Sequence, residues 1–263
     1  MMSLSVGTAL QDGWTTFRRT PWTFVFFALF AFVLSTLVDL LPGIAGYIVS
    51  SLVDLWATVG LIRGAWLGLN RERPSFGDLI RIDVLAIWRL FSRQFLLTVL
   101  LGVISTTVAI LAVTAAEAGE LAQSIYWRMQ AIDPSNTEAF NNLISEIQSL
   151  AFAIAGSPVA VLVLLIGAVI AVYIQVNQIF LGFLAVVKGL GPIATLREGF
   201  RTVQRQWWTV LGLLVMQLLI LLMGLIAFGF GLLAAIPVVV CITASAYRQL
   251  FDSDDSTGGL TDG

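Results

Sequence analysis

The segment Ile193-Ala-Thr-Leu-Arg-Glu-Gly-Phe-Arg-Thr-Val-Gln-Arg-Gln-Trp-Trp-Thr209 leads directly into an apolar run that extends from Val210 to Phe230. Apolar residues recur in it at helical spacing, which predicts a helix with one apolar and one polar face. The apolar face holds Leu196, Phe200, Val203 and Trp207, and the polar face holds Arg197, Glu198, Arg201, Gln204 and Arg205. This pattern is typical of an amphipathic helix that lies on a membrane surface and is followed by a span.

The same unit opens the chain. Aligned without a gap at a shift of 186 residues, positions 10–23 and 196–209 are identical at six of 14 positions. The identical pairs are Leu10 and Leu196, Gly13 and Gly199, Thr16 and Thr202, Arg19 and Arg205, Trp22 and Trp208, and Thr23 and Thr209. The sequence therefore predicts an internal repeat, in which an amphipathic interfacial helix begins both the first and the third hairpin of spans. Because both copies start on the same side, we expect a two-fold rotation about the membrane normal to relate them.

The composition is far more apolar than that of a soluble domain. Apolar residues make up 58% of the chain and charged residues only 11%, and the mean hydropathy is +0.93. The chain has no histidine and a single cysteine, Cys241, which lies in an apolar run. It therefore lacks the commonest general base and metal ligand. The sequence predicts an integral membrane protein with no catalytic, cofactor-binding or metal-binding residues, in which Cys241 has a packing role.

Six apolar runs are long enough to cross a bilayer as helices. They cover about residues 22–41, 44–69, 95–116, 158–183, 207–228 and 232–250. We expect an all-α polytopic bundle forming one transmembrane domain over residues 1–251, without a cleavable signal peptide. A charged stretch over residues 70–93 suggests a degenerate third copy of the surface helix, and residues 117–150 suggest an extramembrane helical hairpin. The acidic end, residues 252–263, is predicted to be disordered.

The basic residues indicate the orientation in the membrane. Twelve of the 14 lie on one side of the predicted spans, namely Arg18, Arg19, Arg71, Arg73, Arg81, Arg89, Arg93, Lys188, Arg197, Arg201, Arg205 and Arg248. The positive-inside rule places both termini in the cytoplasm, in a bacterial inner or thylakoid-type membrane. Anionic lipid headgroups are the natural partners of these basic residues, and nothing favours a nucleic acid. The hairpin of residues 117–150 then lies on the opposite side, where a protein partner can bind it.

A few polar residues lie inside the predicted spans. Asp54 falls near the middle of the second, where a lone carboxylate costs roughly 2.5 to 3.5 kcal/mol. The deep amides are Gln175, Asn177, Gln178 and Gln217. Three interpretations of Asp54 stay open: a neighbouring amide or hydroxyl holds it in a dry interior, it lines a path for an ion or proton together with the amides, or it takes part in chemistry. The simplest interpretation of the amides is hydrogen bonding between helices. Arg63, nine residues beyond Asp54, is expected to extend toward the headgroups.

Three glycines repeat every fourth residue along the second span, at Gly60, Gly64 and Gly68. This spacing predicts a smooth helix face on which another backbone can approach closely. The neighbour is either another span of this chain or a second protomer.

Three further segments carry a resemblance to a known group. They are Lys188-Gly-Leu-Gly-Pro-Ile-Ala-Thr-Leu-Arg-Glu-Gly-Phe-Arg201, Gly229-Phe-Gly-Leu-Leu-Ala-Ala-Ile-Pro237 and Ala246-Tyr-Arg-Gln-Leu-Phe251. Together they resemble a group of bacterial six-span membrane proteins that includes uncharacterised proteins and the membrane domain of glycerophosphodiester phosphodiesterases. The resemblance covers roughly residues 185–251 and implies architecture only, because the phosphodiesterase chemistry of that group belongs to a separate soluble domain.

The function expected from these features is non-enzymatic and of a structural, assembly or membrane-homeostasis type. The alternative is a transporter or channel for a small solute, with Asp54 and the intramembrane amides along the path. A membrane-embedded lipid enzyme is a third class, which the absence of histidine and of an acid and base pair disfavours.

Overall fold

The computed structural model describes residues 4–41, 43–131, 136–227 and 229–251. Within these ranges the chain forms helices joined by turns and irregular segments, and no strand occurs. The helices are α1 (Val6–Arg19), α2 (Pro21–Asp39), α3 (Gly43–Leu69), α4 (Phe76–Ile80), α5 (Val84–Ala115), α6 (Gly119–Ala131), α7 (Thr137–Gly156), α8 (Pro158–Gln178), α9 (Leu181–Val186), α10 (Pro192–Gln204), α11 (Trp207–Ile226) and α12 (Leu232–Phe251).

Six segments among the described residues are long and apolar enough to cross a membrane. They are Pro21–Asp39, Gly46–Leu69, Val84–Ala115, Pro158–Val186, Trp207–Ile226 and Leu232–Phe251. The protein is therefore an all-α polytopic membrane helix bundle, as the sequence predicts. The predicted tail, residues 252–263, lies outside the described residues.

The third span begins earlier than expected. The sequence places its start near residue 95 and a separate surface helix before it, but α5 runs without a break from Val84. No proline or glycine occurs between residues 84 and 101, so nothing stops the amphipathic segment from continuing into the span. Arg89 and Arg93 consequently lie on the span helix itself, and the interpretation of a third surface helix is wrong. Only the short helix α4 precedes α5.

The chain divides into two compact units. The first comprises Met1–Leu96 and Gln175–Gly263, and the second comprises Leu97–Ile174. In the first unit, α12 is the most buried of the span helices, and α1, α2, α3 and α11 all pack against it. The buried side of α12 is rich in small side chains, including Ala235, Cys241, Ala244, Ser245 and Ala246. Small residues let neighbouring helices approach closely, which explains why α12 occupies the centre.

Helices α1 and α10 use their apolar faces to pack against the protein. Ala9, Gly13 and Phe17 of α1 are buried, and α1 lies mainly on α12. In α10 the buried residues include Gly199 and Val203, and its main neighbours are α9 and α11. The faces that the sequence assigns to lipid are thus occupied largely by other helices. The two copies also have different neighbours, so the described contacts do not follow the expected two-fold relation.

The second unit contains the hairpin formed by α6 and α7. An ion pair of 3.1 Å between Arg128 and Glu146 joins the two helices. At the base of the unit, the Ser157 hydroxyl donates to the Ala115 carbonyl oxygen over 3.0 Å, linking the residue before α8 to the end of α5. Four large apolar side chains of α7 are exposed, namely Phe140, Ile144, Ile147 and Phe152.

Candidate functional site

Asp54 lies on an exposed part of α3. The Ser35 hydroxyl of α2 donates a hydrogen bond of 3.2 Å to Asp54 Oδ1. A hydroxyl partner is what the structural interpretation expects, but the carboxylate is exposed where that interpretation places it in a dry interior. Asp54 therefore joins α2 to α3 while keeping most of its acceptor capacity open.

The deep amides are distributed over separate places. Gln217 of α11 is buried, and its Nε2 donates to Thr243 Oγ1 of α12 over 2.9 Å. Gln178 donates to Gln175 within α8, and Asn177 beside them is fully buried. Asp54 thus bonds to α2, Gln217 bonds to α12, and Gln178 bonds within α8. The structure therefore does not gather the predicted polar residues around one centre.

The glycine face of α3 accepts close neighbours from the same chain. A methyl group added at Gly60 would meet the Leu79 carbonyl oxygen and would lie 2.6 Å from the Phe27 ring. At Gly64 the closest atoms, at 3.1 Å, belong to Leu79 and to Phe24 of α2. At Gly68 the nearest atom is Thr16 Cγ2 of α1, at 2.7 Å. Gly60 and Gly64 therefore admit both α4 and α2, and Gly68 admits α1.

Arg63 is the main polar residue whose role the sequence interpretation missed. It was expected to extend toward the headgroups, but its side chain is buried. Its Nη1 donates to the Arg81 carbonyl oxygen over 2.9 Å and to that of Asp78 over 3.4 Å. Its Nη2 pairs with Asp83 Oδ2 at 3.4 Å. The reason is electrostatic, because the carbonyl oxygens at the end of α4 and the acidic residue before α5 pair with Nη1 and Nη2 of the guanidinium inside the protein.

This arrangement fixes the whole connection between α3 and α5. Asp83, held by Arg63, accepts a hydrogen bond of 2.9 Å from the Ala86 backbone at the start of α5. Trp56 Nε1 donates to the Ile80 carbonyl oxygen over 3.0 Å. At the other end of α4, hydrogen bonds from the Ser75 hydroxyl and backbone to the Asp78 carboxylate lower the pKa of that carboxyl. A signal was present in the sequence, since Asp78 and Asp83 lie in the loop that follows the span carrying Arg63.

Two more arginines bind the carboxyl end of α3. Arg19 of α1 donates to the Gly68 carbonyl oxygen over 3.2 Å, and Arg248 of α12 donates to that of Leu69 over 3.1 Å. The last carbonyls of a helix have no partner within it and carry partial negative charge. Arg19 and Arg248 therefore act as side-chain caps that tie α1 and α12 to the end of the second span.

Three of the clefts formed by described residues bear on the site. Two are almost wholly apolar: one of about 450 Å³ includes Tyr47 and Trp88, and one of about 480 Å³ includes Val103 and Ile166. The third, of about 540 Å³, is polar and includes Arg197, Arg201 and Arg205. Asp54 lines none of the three.

No family model, curated protein or solved structure matches the chain. The resemblance to the bacterial six-span group accordingly stays a prediction. By its own geometry, the chain is an integral membrane protein of six candidate spans, in which the polar residues of the span helices mostly join helix to helix.

Proposed function

We propose that this multi-pass protein is non-enzymatic and has a structural, assembly or membrane-homeostasis role. The observation that carries the proposal is the buried hydrogen bond of 2.9 Å between Gln217 of α11 and Thr243 of α12. A polar group this deep is expensive unless it is paired, and here its partner belongs to the adjacent helix. The deep amide is thus used to hold the bundle together.

Other polar contacts support the same conclusion. Ser35 and Asp54 join α2 to α3, and Arg63 joins α3 to the connection that carries α4. A solute site is usually concave and brings a few polar groups together on one ligand. Asp54, Arg63 and Gln217 are instead engaged at three different helix contacts, which favours a scaffold over a carrier.

The proposal includes an orientation and partners. Both termini lie in the cytoplasm of a bacterial inner or thylakoid-type membrane, and the basic side contacts anionic headgroups. A protein partner at residues 117–150 is part of the proposal, supported by the exposed side chains of Phe140, Ile144 and Ile147 on α7. We also propose that the chain is related to the bacterial six-span group.

The second candidate function is transport of a small ion or proton. The exposure of Asp54 favours it, because an ionised carboxylate on a span helix is stable only beside water, a cation or a protein partner. In this alternative the Asp54 carboxylate contacts the solute along the path, and the deep amides help to line it.

One pair of variants separates the two candidates. Asp54→Asn removes the charge and keeps the hydrogen bond from Ser35, whereas Gln217→Leu removes only the bond to Thr243. In liposomes carrying proton- or cation-sensitive dyes, we expect wild type and Asp54→Asn to give the same rate of proton or cation flux across the bilayer. Gln217→Leu should lower the free energy of unfolding by about 0.6 to 1.7 kcal/mol.

The opposite result has a clear form. A wild-type flux that Asp54→Asn abolishes, while Gln217→Leu keeps it and both proteins stay folded by circular dichroism, would make transport the leading function.

A further inference from the structure

The polar cleft beside α10 is the strongest candidate for a binding site. It has a volume of about 540 Å³ and lies between α10 and the end of α12. Its lining residues are Ala194, Arg197, Glu198, Arg201, Thr202, Arg205 and Leu250. All three arginines are exposed. The cleft therefore presents three guanidinium groups to whatever lies outside the protein.

The only carboxylate in this cleft is already neutralised. Glu198 Oε1 forms an ion pair of 3.0 Å with Lys188 Nζ, and that ammonium also lies 5.4 Å from the centre of the Phe251 ring. The ion pairs among the described residues involve none of Arg197, Arg201 and Arg205. Three positive charges are thus left without an acidic partner in the described structure.

The spacing of these arginines suits a phosphate group. They are four residues apart, so they form a stripe on one side of α10, each about 6 Å along the axis from the next. Two neighbouring guanidinium groups can both reach a phosphate between them, and their forked donors match its oxygens. The Thr202 hydroxyl, which also lines the cleft, supplies a further donor.

The first copy of the repeat shows that the fold does not require this stripe. At the aligned positions of α1 the residues are Gln11, Thr15 and Arg19. Of these, Arg19 is engaged with the Gly68 carbonyl oxygen at the end of α3. The buried glycine is kept in both copies, at Gly13 and Gly199. The second copy alone thus combines the common packing face with three arginines that have no acidic partner among the described residues.

The surroundings of α10 point to a lipid as the source of the phosphate. Ile193, at the start of the helix, is 76% exposed, and Trp208, just after it, is 79% exposed. Exposed tryptophan beside a span is typical of the headgroup level of a membrane. Helix α10 is also followed at once by the span helix α11. Its stripe is therefore placed where the headgroups of the cytoplasmic leaflet lie under the proposed orientation.

We propose that Arg197, Arg201 and Arg205 form a binding site for the phosphate of an anionic phospholipid headgroup. The site rests on the membrane location and orientation of the proposed function, and it deepens the contact with anionic headgroups by naming the residues and the group that they bind. A structural protein and a transporter can each carry it, so the flux assay tests the function and the lipid-binding assay tests the site separately.

The test uses the full chain in nanodiscs of phosphatidylcholine with a fluorescent phosphatidylglycerol as the probe. The double variant Arg197→Gln with Arg201→Thr installs the residues of α1 at the aligned positions. Binding should weaken about 100-fold, since each arginine that donates directly to the phosphate contributes about tenfold. The control Arg18→Gln with Arg73→Gln removes two exposed arginines outside the cleft, and its binding should weaken by no more than about 25-fold, the loss expected from general charge attraction alone.

Several results would overturn the proposal. Equal losses in the two double variants would reduce the effect to general charge attraction, and unchanged binding in the cleft variant would exclude the site. Displacement of the lipid probe by inorganic phosphate at equal concentration would make the site one for a free anion. Thermal unfolding in pure phosphatidylcholine verifies that each variant is folded. The variant Arg201→Lys tests whether a guanidinium is needed. We expect it to bind less lipid, because lysine keeps the positive charge but lacks the forked donors of arginine.

Discussion

Helices α1 and α10 have the same position in the repeat, and both precede a span helix by only a few residues. Gly13 and Gly199, at the aligned positions, are both buried, as are Phe17 and Val203 one helical turn later. Their neighbours nevertheless differ, because α1 lies mainly on α12 and α10 lies mainly on α9. The shared sequence therefore encodes a helix with a narrow contact face, and the surface it meets decides where that face docks.

The two contacts also differ in kind. A methyl group added at Gly13 would lie 2.6 Å from the Cα and N atoms of Ile242, which belong to the backbone of α12. The same group at Gly199 would meet the end of the Leu181 side chain. A leucine side chain can change rotamer, whereas the backbone of a buried helix cannot yield without disturbing its own neighbours. Identical glycines are thus under different constraints.

The largest effect should come from substituting these glycines one at a time. We expect Gly13→Ala to lower the free energy of unfolding by about 2 to 3 kcal/mol, through overpacking against the α12 backbone. Gly199→Ala should cost less than about 1 kcal/mol, because Leu181 can move aside and alanine favours the helix. Unfolding in mixed detergent measures both, and equal costs for the two variants would contradict the difference between the contacts.

A smaller effect should separate the two arginines of another identical pair, Arg19 and Arg205. Arg19→Gln removes the hydrogen bond to the Gly68 carbonyl oxygen, which should cost about 1 kcal/mol of stability. Arg205→Gln should change stability by less than about 0.5 kcal/mol, because Arg205 is an exposed residue with no ion pair in the described structure. The same unfolding assay applies, and a larger loss for Arg205→Gln would reverse the assigned roles.

The sequence predicts the spans well because their signal is local. An apolar run of sufficient length specifies a span whatever surrounds it, and this holds from Pro21–Asp39 through to Leu232–Phe251. The glycine spacing on α3 is similarly informative, since a smooth face at Gly60 and Gly64 leaves room for a close neighbour. The identity of that neighbour, Leu79 of α4, depends on how the intervening connection folds and is not contained in the spacing.

The misses involve contacts between distant parts of the chain. Arg63 is expected from its position in a span to extend toward the headgroups, yet its Nη1 donates to the carbonyl oxygens of Asp78 and Arg81 inside the protein. The docking of α10 depends on α9, whose six residues Leu181–Val186 are all buried. The sequence match between α1 and α10 carries no information about α9, which lies between α8 and α10. The match therefore predicts symmetric packing of α1 and α10, whereas their observed packing is asymmetric.

Disulfide cross-linking tests the different docking of the two repeat helices most directly. In a Cys241→Ala background, Asp12→Cys with Ser245→Cys joins residues whose side-chain oxygens lie 3.5 Å apart, across α1 and α12. A two-fold relation with the shift of 186 residues would bring Glu198 equally close to Val59 of α3. We predict rapid oxidation of the first pair and none for Glu198→Cys with Val59→Cys. Efficient cross-linking of both pairs would show that the copies dock symmetrically and would contradict the account.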